Sequence, residues 1–158
     1  MRPVRLLNVD PRGAVARQLL QEAALEVRPL YEPDPAAQAP LNAPLGPREV
    51  SVAALRDDAP VAGGALRQID AATAELSRVF VRRANRRQGL ARMLLSHLLR
   101  EARRLGYLRI RLETGHRQPA AMALYESLGF TQIPPFGSYA SDPTSVCYEL
   151  HLGPARAT

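Results

Sequence analysis

The segment Leu76-Ser77-Arg78-Val79-Phe80-Val81 is followed by a loop and then by Arg86-Arg87-Gln88-Gly89-Leu90-Ala91-Arg92 at the head of an amphipathic run. The pattern predicts a strand, a turn and a helix N-terminus in succession. The first amides of a helix lack an internal acceptor, and the aligned peptide dipoles add partial positive charge at that end. Gly89 and Ala91 place no bulk between those amides and an approaching anion. Arg82, Arg83, Arg86, Arg87 and Arg92 add side-chain charge around the same point. Such a turn suits a phosphate-bearing ligand, with a solvated arginine face as the alternative. Neither a Walker A pattern nor G-x-G-x-x-G occurs, which argues against nucleotide hydrolysis and dinucleotide binding.

Other chemistries are narrowed by residue type. All 21 basic residues are arginine, so Schiff-base chemistry, pyridoxal attachment and a Walker lysine are excluded. Cys147 is the single cysteine and His97, His116 and His151 lack metal-ligand spacing, so neither a disulfide nor a metal site is expected. Cys147 reads as structural rather than as an acyl-accepting nucleophile. The formal net charge of +6 admits nucleic acid, an anionic membrane or a polyphosphate-bearing molecule as partner. The compact basic cluster, with five tyrosines and three phenylalanines in the chain, disfavours a nucleic-acid groove.

The elements that must hold this turn follow from periodicity. The 158 residues fit one domain, 1–158, with 46% hydrophobic residues to build its core. Residues 4–9 read as a short strand, and Asp10-Pro11 as an N-cap and first helical residue of a helix reaching about residue 29. Six of the fourteen prolines fall in 29–47, which predicts a long loop. Strands are expected at 49–55, 61–69 and 74–81, with a turn over 56–60. A helix then runs to about Leu105 and ends at Gly106, a strand spans 108–113, a helix 119–128, and a last strand 146–152. The order is mixed α+β, and residues 74–114 can form a parallel strand pair by a right-handed crossover. The longest charge-free interval, 127–141, contains two glycines and two prolines, so no membrane-spanning helix is expected and the expected location is cytoplasmic.

Arg86-x-x-Gly89-x-Ala91 after a strand resembles the pyrophosphate signature of the GNAT N-acetyltransferase superfamily. The block from Leu112 to Phe130, with Tyr125-Glu126-Ser127-Leu128-Gly129-Phe130 at its end, resembles the strand and helix that follow it there. The resemblance covers roughly residues 60–152, and its tail from Ile133 to Cys147 is similar to a bacterial subgroup. It implies a mixed, mostly antiparallel sheet splayed between its fourth and fifth strands and flanked by helices. It also implies direct acetyl transfer from acetyl-CoA to a primary amine of a small molecule or peptide, without a metal. By position, the backbone of Val79 would polarise the thioester carbonyl. Val81 would bond the pantetheine, with Phe80 also among the cofactor-binding residues, and Arg86, Arg87, Gln88, Gly89, Leu90, Ala91 and Arg92 would hold the pyrophosphate. Gln118 would contact the pantetheine, at a position where many relatives have asparagine. Tyr125 occupies the position of the acid that meets the departing thiolate, although a tyrosine on the Ala121, Leu124, Leu128 face can also be core. Glu75 matches a base used by some relatives, about 13 Å from Val79 in extended geometry and therefore acting through water. Glu113 and Thr114 could line the same cleft, and a homodimer is compatible with the pattern. Segments 31–47 and 134–144 are expected to set acceptor choice, with Glu32, Asp34 and Asp142 favouring a cationic amine. A non-catalytic CoA-binding sensor is the alternative class, followed by an arginine-rich nucleic-acid module.

Overall fold

The computed structural model describes residues 2–27 and 44–153. Its strands are β1 (Arg5–Asn8), β2 (Val50–Arg56), β3 (Ala59–Gln68), β4 (Thr73–Val81), β5 (Arg109–Gly115), β6 (Thr131–Ile133) and β7 (Ser145–His151). Three α-helices join them: α1 (Ala14–Val27), α2 (Leu90–Arg104) and α3 (Pro119–Ser127). The strands form a seven-stranded sheet in the order β1-β2-β3-β4-β5-β7-β6. Each neighbouring pair is antiparallel except β4 with β5, whose crossover is α2.

Most expected elements are present, with three local corrections. Helix α1 begins after Gly13, because the Asp10 carboxylate accepts the Arg12 amide and the Asp10 carbonyl accepts the Gly13 amide in a turn. Asp10-Pro11 is therefore a turn ahead of the helix, not its cap. The expected five-residue turn at 56–60 is a two-residue hairpin, with Asp57 and Asp58 at φ 52° and 65° as a type I′ turn requires. Pro60 lies inside β3 at a register shift, where its missing N–H leaves no ladder position empty. Strand β6 was not expected. It is three residues long, flanks β7 at the sheet edge, and carries too few residues for a period to show.

The core lies on the α2 and α3 face. Leu94, Leu95 and Leu98 of α2 are fully shut off from solvent against Leu66, Leu76, Ile110 and Leu112 of the sheet. Each such side chain contributes on the order of 1.5–3 kcal/mol by burial. A Cβ at Gly64 would come within 3.1 Å of Leu98, so this glycine lets α2 lie close to β3. Helix α1 covers the opposite face, where Leu19 would meet a Cβ at Gly63 at 2.9 Å.

Two features of β4 position everything that follows. Its pairing with β5 runs from Thr73 opposite Arg109 to Leu76 opposite Leu112 and stops. Beyond Leu76 the two strands separate, with β4 held by β3 and β5 by β7. Between Ala65–Ser77 and Gly63–Phe80 the register advances two residues on β3 and three on β4, so β4 carries a bulge. Arg78 sits in it at φ 59°, a left-handed conformation costly for a residue with a Cβ.

Candidate active site

The opening between β4 and β5 leaves the edge of residues 77–81 without a strand partner on the β5 side. Backbone N–H and C=O groups on such an edge can pair with an extended ligand. Val79 and Val81 lie on that edge. The Val79 side chain turns toward α2, near the space a Gly64 Cβ would fill, and the Val81 carbonyl accepts Arg86 Nε at 3.0 Å.

At the end of this edge the chain forms the turn into α2. Arg87 and Gly89 adopt φ 62° and 76°. Among the described residues, the amides of residues 87–92 donate no hydrogen bond, while Met93 N–H already reaches the Gly89 carbonyl. A Cβ at Gly89 would meet nothing within 4 Å, so open space faces these donors. Six backbone donors around a helix N-terminus form an anion cradle, and a pyrophosphate fits its chemistry.

The arginine side chains depart from the expected convergence. Arg82 Nη2 lies 2.8 Å from the Glu22 carboxylate, Arg83 Nε 3.6 Å from Glu26, and Arg86 is also paired with Glu26. Arg86 also stacks over the Phe80 ring at 5.6 Å. Gln88 accepts Arg56 Nη1 at 2.9 Å, and Arg92 donates to Ser127 Oγ at 2.8 Å, tying α2 to α3. Leu90 belongs to the core, and Ala91 stays small beside the free amides. Gln118 is the N-cap of α3 but makes no side-chain capping bond. Backbone therefore supplies most of the donors at the turn, and α1 carboxylates hold three of its guanidiniums.

The two faces of the opening differ chemically. Register places Arg67, Glu75, Arg111 and Glu149 in one row across β3, β4, β5 and β7. This row alternates in charge, and Arg111 Nε meets Glu149 at 2.7 Å. Tyr139, on the 3-10 turn Gly137–Ser141, crosses to this face and donates its hydroxyl to Glu75 at 2.6 Å. Burial and the Glu75 carboxylate push the Tyr139 phenol well above its ordinary range. The next row holds Ser77 on β4 and Glu113 with Cys147 on β5 and β7. Glu113 accepts Ser145 Oγ at 2.6 Å, yet burial and the negative charges of Asp142 and Glu75 raise its carboxyl above the usual range. Cys147 is fully buried with a raised thiol, consistent with a structural residue.

On the opposite face, Tyr125 of α3 is 7% exposed and packs edge-on against Phe130 at 5.8 Å and obliquely on Tyr148 at 6.3 Å. Its hydroxyl makes no hydrogen bond among the described residues. Burial, then the Glu113 charge, pushes its phenol up to about 12, so it is protonated at neutral pH. Tyr125 thus has both properties weighed from sequence: its ring is core and its hydroxyl is unused. The fold brings Tyr125 and Glu113 to opposite faces of one opening. Tyr139 and the pairing of Glu113 with Ser145 were missed, because their partners lie 64 and 32 residues away.

Residues 15–130 match the model of the acetyltransferase (GNAT) family. The uncharacterized N-acetyltransferase YsnE of Bacillus subtilis is 39% identical over 85 residues, which are 52% of this chain and 56% of that protein. The chain spans about half the length of the first curated relatives it matches. A crystal structure from Klebsiella pneumoniae, assigned as an acyl-CoA N-acyltransferase, superposes with a TM-score of 0.75 at 28% identity over 97% of this chain and 98% of that one. A GNAT family acetyltransferase from Elizabethkingia anophelis with acetyl-CoA bound shares the fold, with a TM-score of 0.68 at 13% identity over 94% and 97% of the two chains.

Proposed function

Since the chain belongs to the acetyltransferase (GNAT) family, we propose that it moves an acetyl group from acetyl-CoA directly to a primary amine of a small molecule or peptide. The observation that carries this reading is the opening between β4 and β5, with a raised carboxyl on one face and a protonated phenol on the other. Acetyl-CoA, when bound, supplies an acyl carbonyl on a thiolate leaving group. The unpaired amides of residues 87–92 hold its pyrophosphate, and the free edge from Val79 to Val81 receives its thioester and pantetheine.

The chain's own groups then manage the protons. A neutral amine forms the C–N bond as the C–S bond breaks, and the nitrogen must lose one proton. Glu113 accepts it, because its raised basicity brings it nearer to an amine's needs than an ordinary carboxylate. Glu75 serves as the second acceptor through water, with Tyr139 orienting its carboxylate. Tyr125 meets the departing sulfur. Its phenol is a weaker acid than an ordinary thiol, whose reference pKa is about 8.5, so it acts chiefly as a hydrogen-bond donor to the thiolate.

Residues 134–144, which carry Tyr139 and Asp142, wall the face from which the amine approaches, and segment 31–47 is the second stretch expected to set acceptor choice. Of that second segment, residues 31–43 lie outside the described residues, Glu32 and Asp34 included. The test is free-thiol release from acetyl-CoA across amino acids, aminoacyl peptides, polyamines and aryl-alkyl amines. Saturable release dependent on a primary amine is expected. Acetyl-CoA binding with no amine-dependent release from any of the four classes would leave a non-catalytic binding domain in its place.

A further inference from the structure

Ser77 Oγ is buried and has no hydrogen-bond partner, the one such side-chain atom among the described residues. A hydroxyl shut away without a partner costs on the order of 1–3 kcal/mol, so its persistence in a fold calls for an explanation. Register supplies one. Glu75 pairs with Arg111 and Leu76 with Leu112, so the next pair in a continuous ladder would be Ser77 with Glu113. That pair is where β4 and β5 part. Ser77 and Glu113 therefore face each other across the apex of the opening, on the face where Tyr139 meets Glu75.

The two rows differ in charge balance. In the row of Glu75, arginines alternate with carboxylates, whereas the row of Ser77 holds Ala65, Ser77, Glu113 and Cys147 with no cation among them. The charges acting on Glu113 are those of Asp142 and Glu75, both negative. An unpartnered hydroxyl thus stands opposite a carboxyl that accepts Ser145 Oγ and has no cation in its row. Ser77 as a residue is only part-buried, so a change of its χ1 rotamer can present the hydroxyl without backbone movement.

We propose that Ser77 and Glu113 form the seat of the acceptor nitrogen and select primary over secondary amines. This rests on the acetyl-transfer reading above. A neutral primary amine has two N–H groups and one lone pair. One N–H is accepted by Ser77 Oγ and the other by the Glu113 carboxylate, which fixes the lone pair toward the opening where the acyl carbonyl lies. As the C–N bond forms, the proton facing Glu113 passes to it and the C–S electron pair leaves with sulfur. A secondary amine has a single N–H, so one of the two acceptors loses its partner and gains a carbon against it. A site built around hydrogen bonds rejects such an analogue more strongly than an apolar pocket does.

The experiment uses the full chain and the variants Ser77→Ala and Ser77→Gly. The acceptor is whichever of alaninamide, Ala-Ala-Ala-amide, spermidine and phenethylamine gives the highest kcat/KM, together with its N-methyl counterpart. The parent is expected to prefer the primary amine by at least about tenfold. Both variants should raise the acceptor KM about three- to tenfold, narrow the N-methyl discrimination, and leave the calorimetric acetyl-CoA affinity within twofold. Ser77→Ala should melt at or above the parent temperature, since it removes an unpartnered hydroxyl. A structural serine would give the reverse: a lower melting temperature and an unchanged acceptor KM. Either that result or a change confined to acetyl-CoA affinity overturns the proposal while the transfer reading stands. Absence of turnover with all four amines overturns both.

Discussion

At the scale of single residues, the account depends on the unused hydroxyl of Tyr125 and the unusual basicity of Glu113. Tyr125→Phe keeps the ring contacts with Phe130 and Tyr148 and removes only the hydroxyl. It should lower kcat by about ten- to a thousandfold, with melting temperature and acetyl-CoA affinity nearly unchanged. Glu113 makes a prediction in pH. Its folded pKa lies above the unfolded value of about 4.3, so the protonated form is the better tolerated one in the fold. Its stabilising contribution is full below the unfolded value and is lost as pH rises through the folded one. Glu113→Gln should therefore gain stability relative to the parent above that window, as thermal melts across pH would read. A base must be ionised, so activity should fall as pH drops through the raised folded pKa. Glu113→Gln should erase that acidic limb in kcat at saturating amine, where protonation of the free amine no longer enters, whereas Glu75→Gln should weaken turnover while keeping it. A limb that persists unchanged in Glu113→Gln would assign the base elsewhere. Tyr125 and Glu75 stood out in the sequence because the resemblance carries their positions. Glu113 was seen only as a cleft residue, because what raises its basicity is folded around it from Asp142 and Glu75.

At the scale of elements, the order of strands and helices was readable from hydrophobic period and from the glycines that follow α2 and α3. The hairpin was misjudged because Pro60 suggested a turn, while a register shift lets proline sit inside the strand. The bulge at Arg78 could not be read at all, since its cause is the tertiary pairing of β3 with β4. The arginine cluster shows the same limit: α1 supplies Glu22 and Glu26, which claim Arg82, Arg83 and Arg86. Arg82 also donates to the Pro60 carbonyl at 3.0 Å, so it pins the start of this turn to β3 and α1. Arg82→Ala should accordingly lower the melting temperature by several degrees, a loss of roughly 1–3 kcal/mol. Its acetyl-CoA affinity should stay within about threefold. A large loss of affinity with unchanged melting would return Arg82 to the phosphates.

At the scale of the molecule, one sheet with a single parallel pair creates one opening, and the turn into α2 lies at the end of the β4 edge that borders it. No helix among the described residues is long and apolar enough to cross a membrane. The net charge of +6 adds a long-range attraction for a polyphosphate that weakens as the Debye length shrinks from about 30 Å at 0.01 M salt to about 3 Å at 1 M. The most direct measurement is calorimetric titration of acetyl-CoA into the parent and into Gly89→Glu. A Cβ there meets nothing within 4 Å, so the substitution brings a negative charge to the amide cradle without a Cβ clash, at a φ of 76° that a side chain strains. The account predicts one-site binding in the parent that weakens with salt, and no measurable binding in a variant whose circular dichroism and cooperative melting show it folded. A folded Gly89→Glu that titrates like the parent would contradict the placement of the phosphates, and with it the account of how this fold seats its acyl donor.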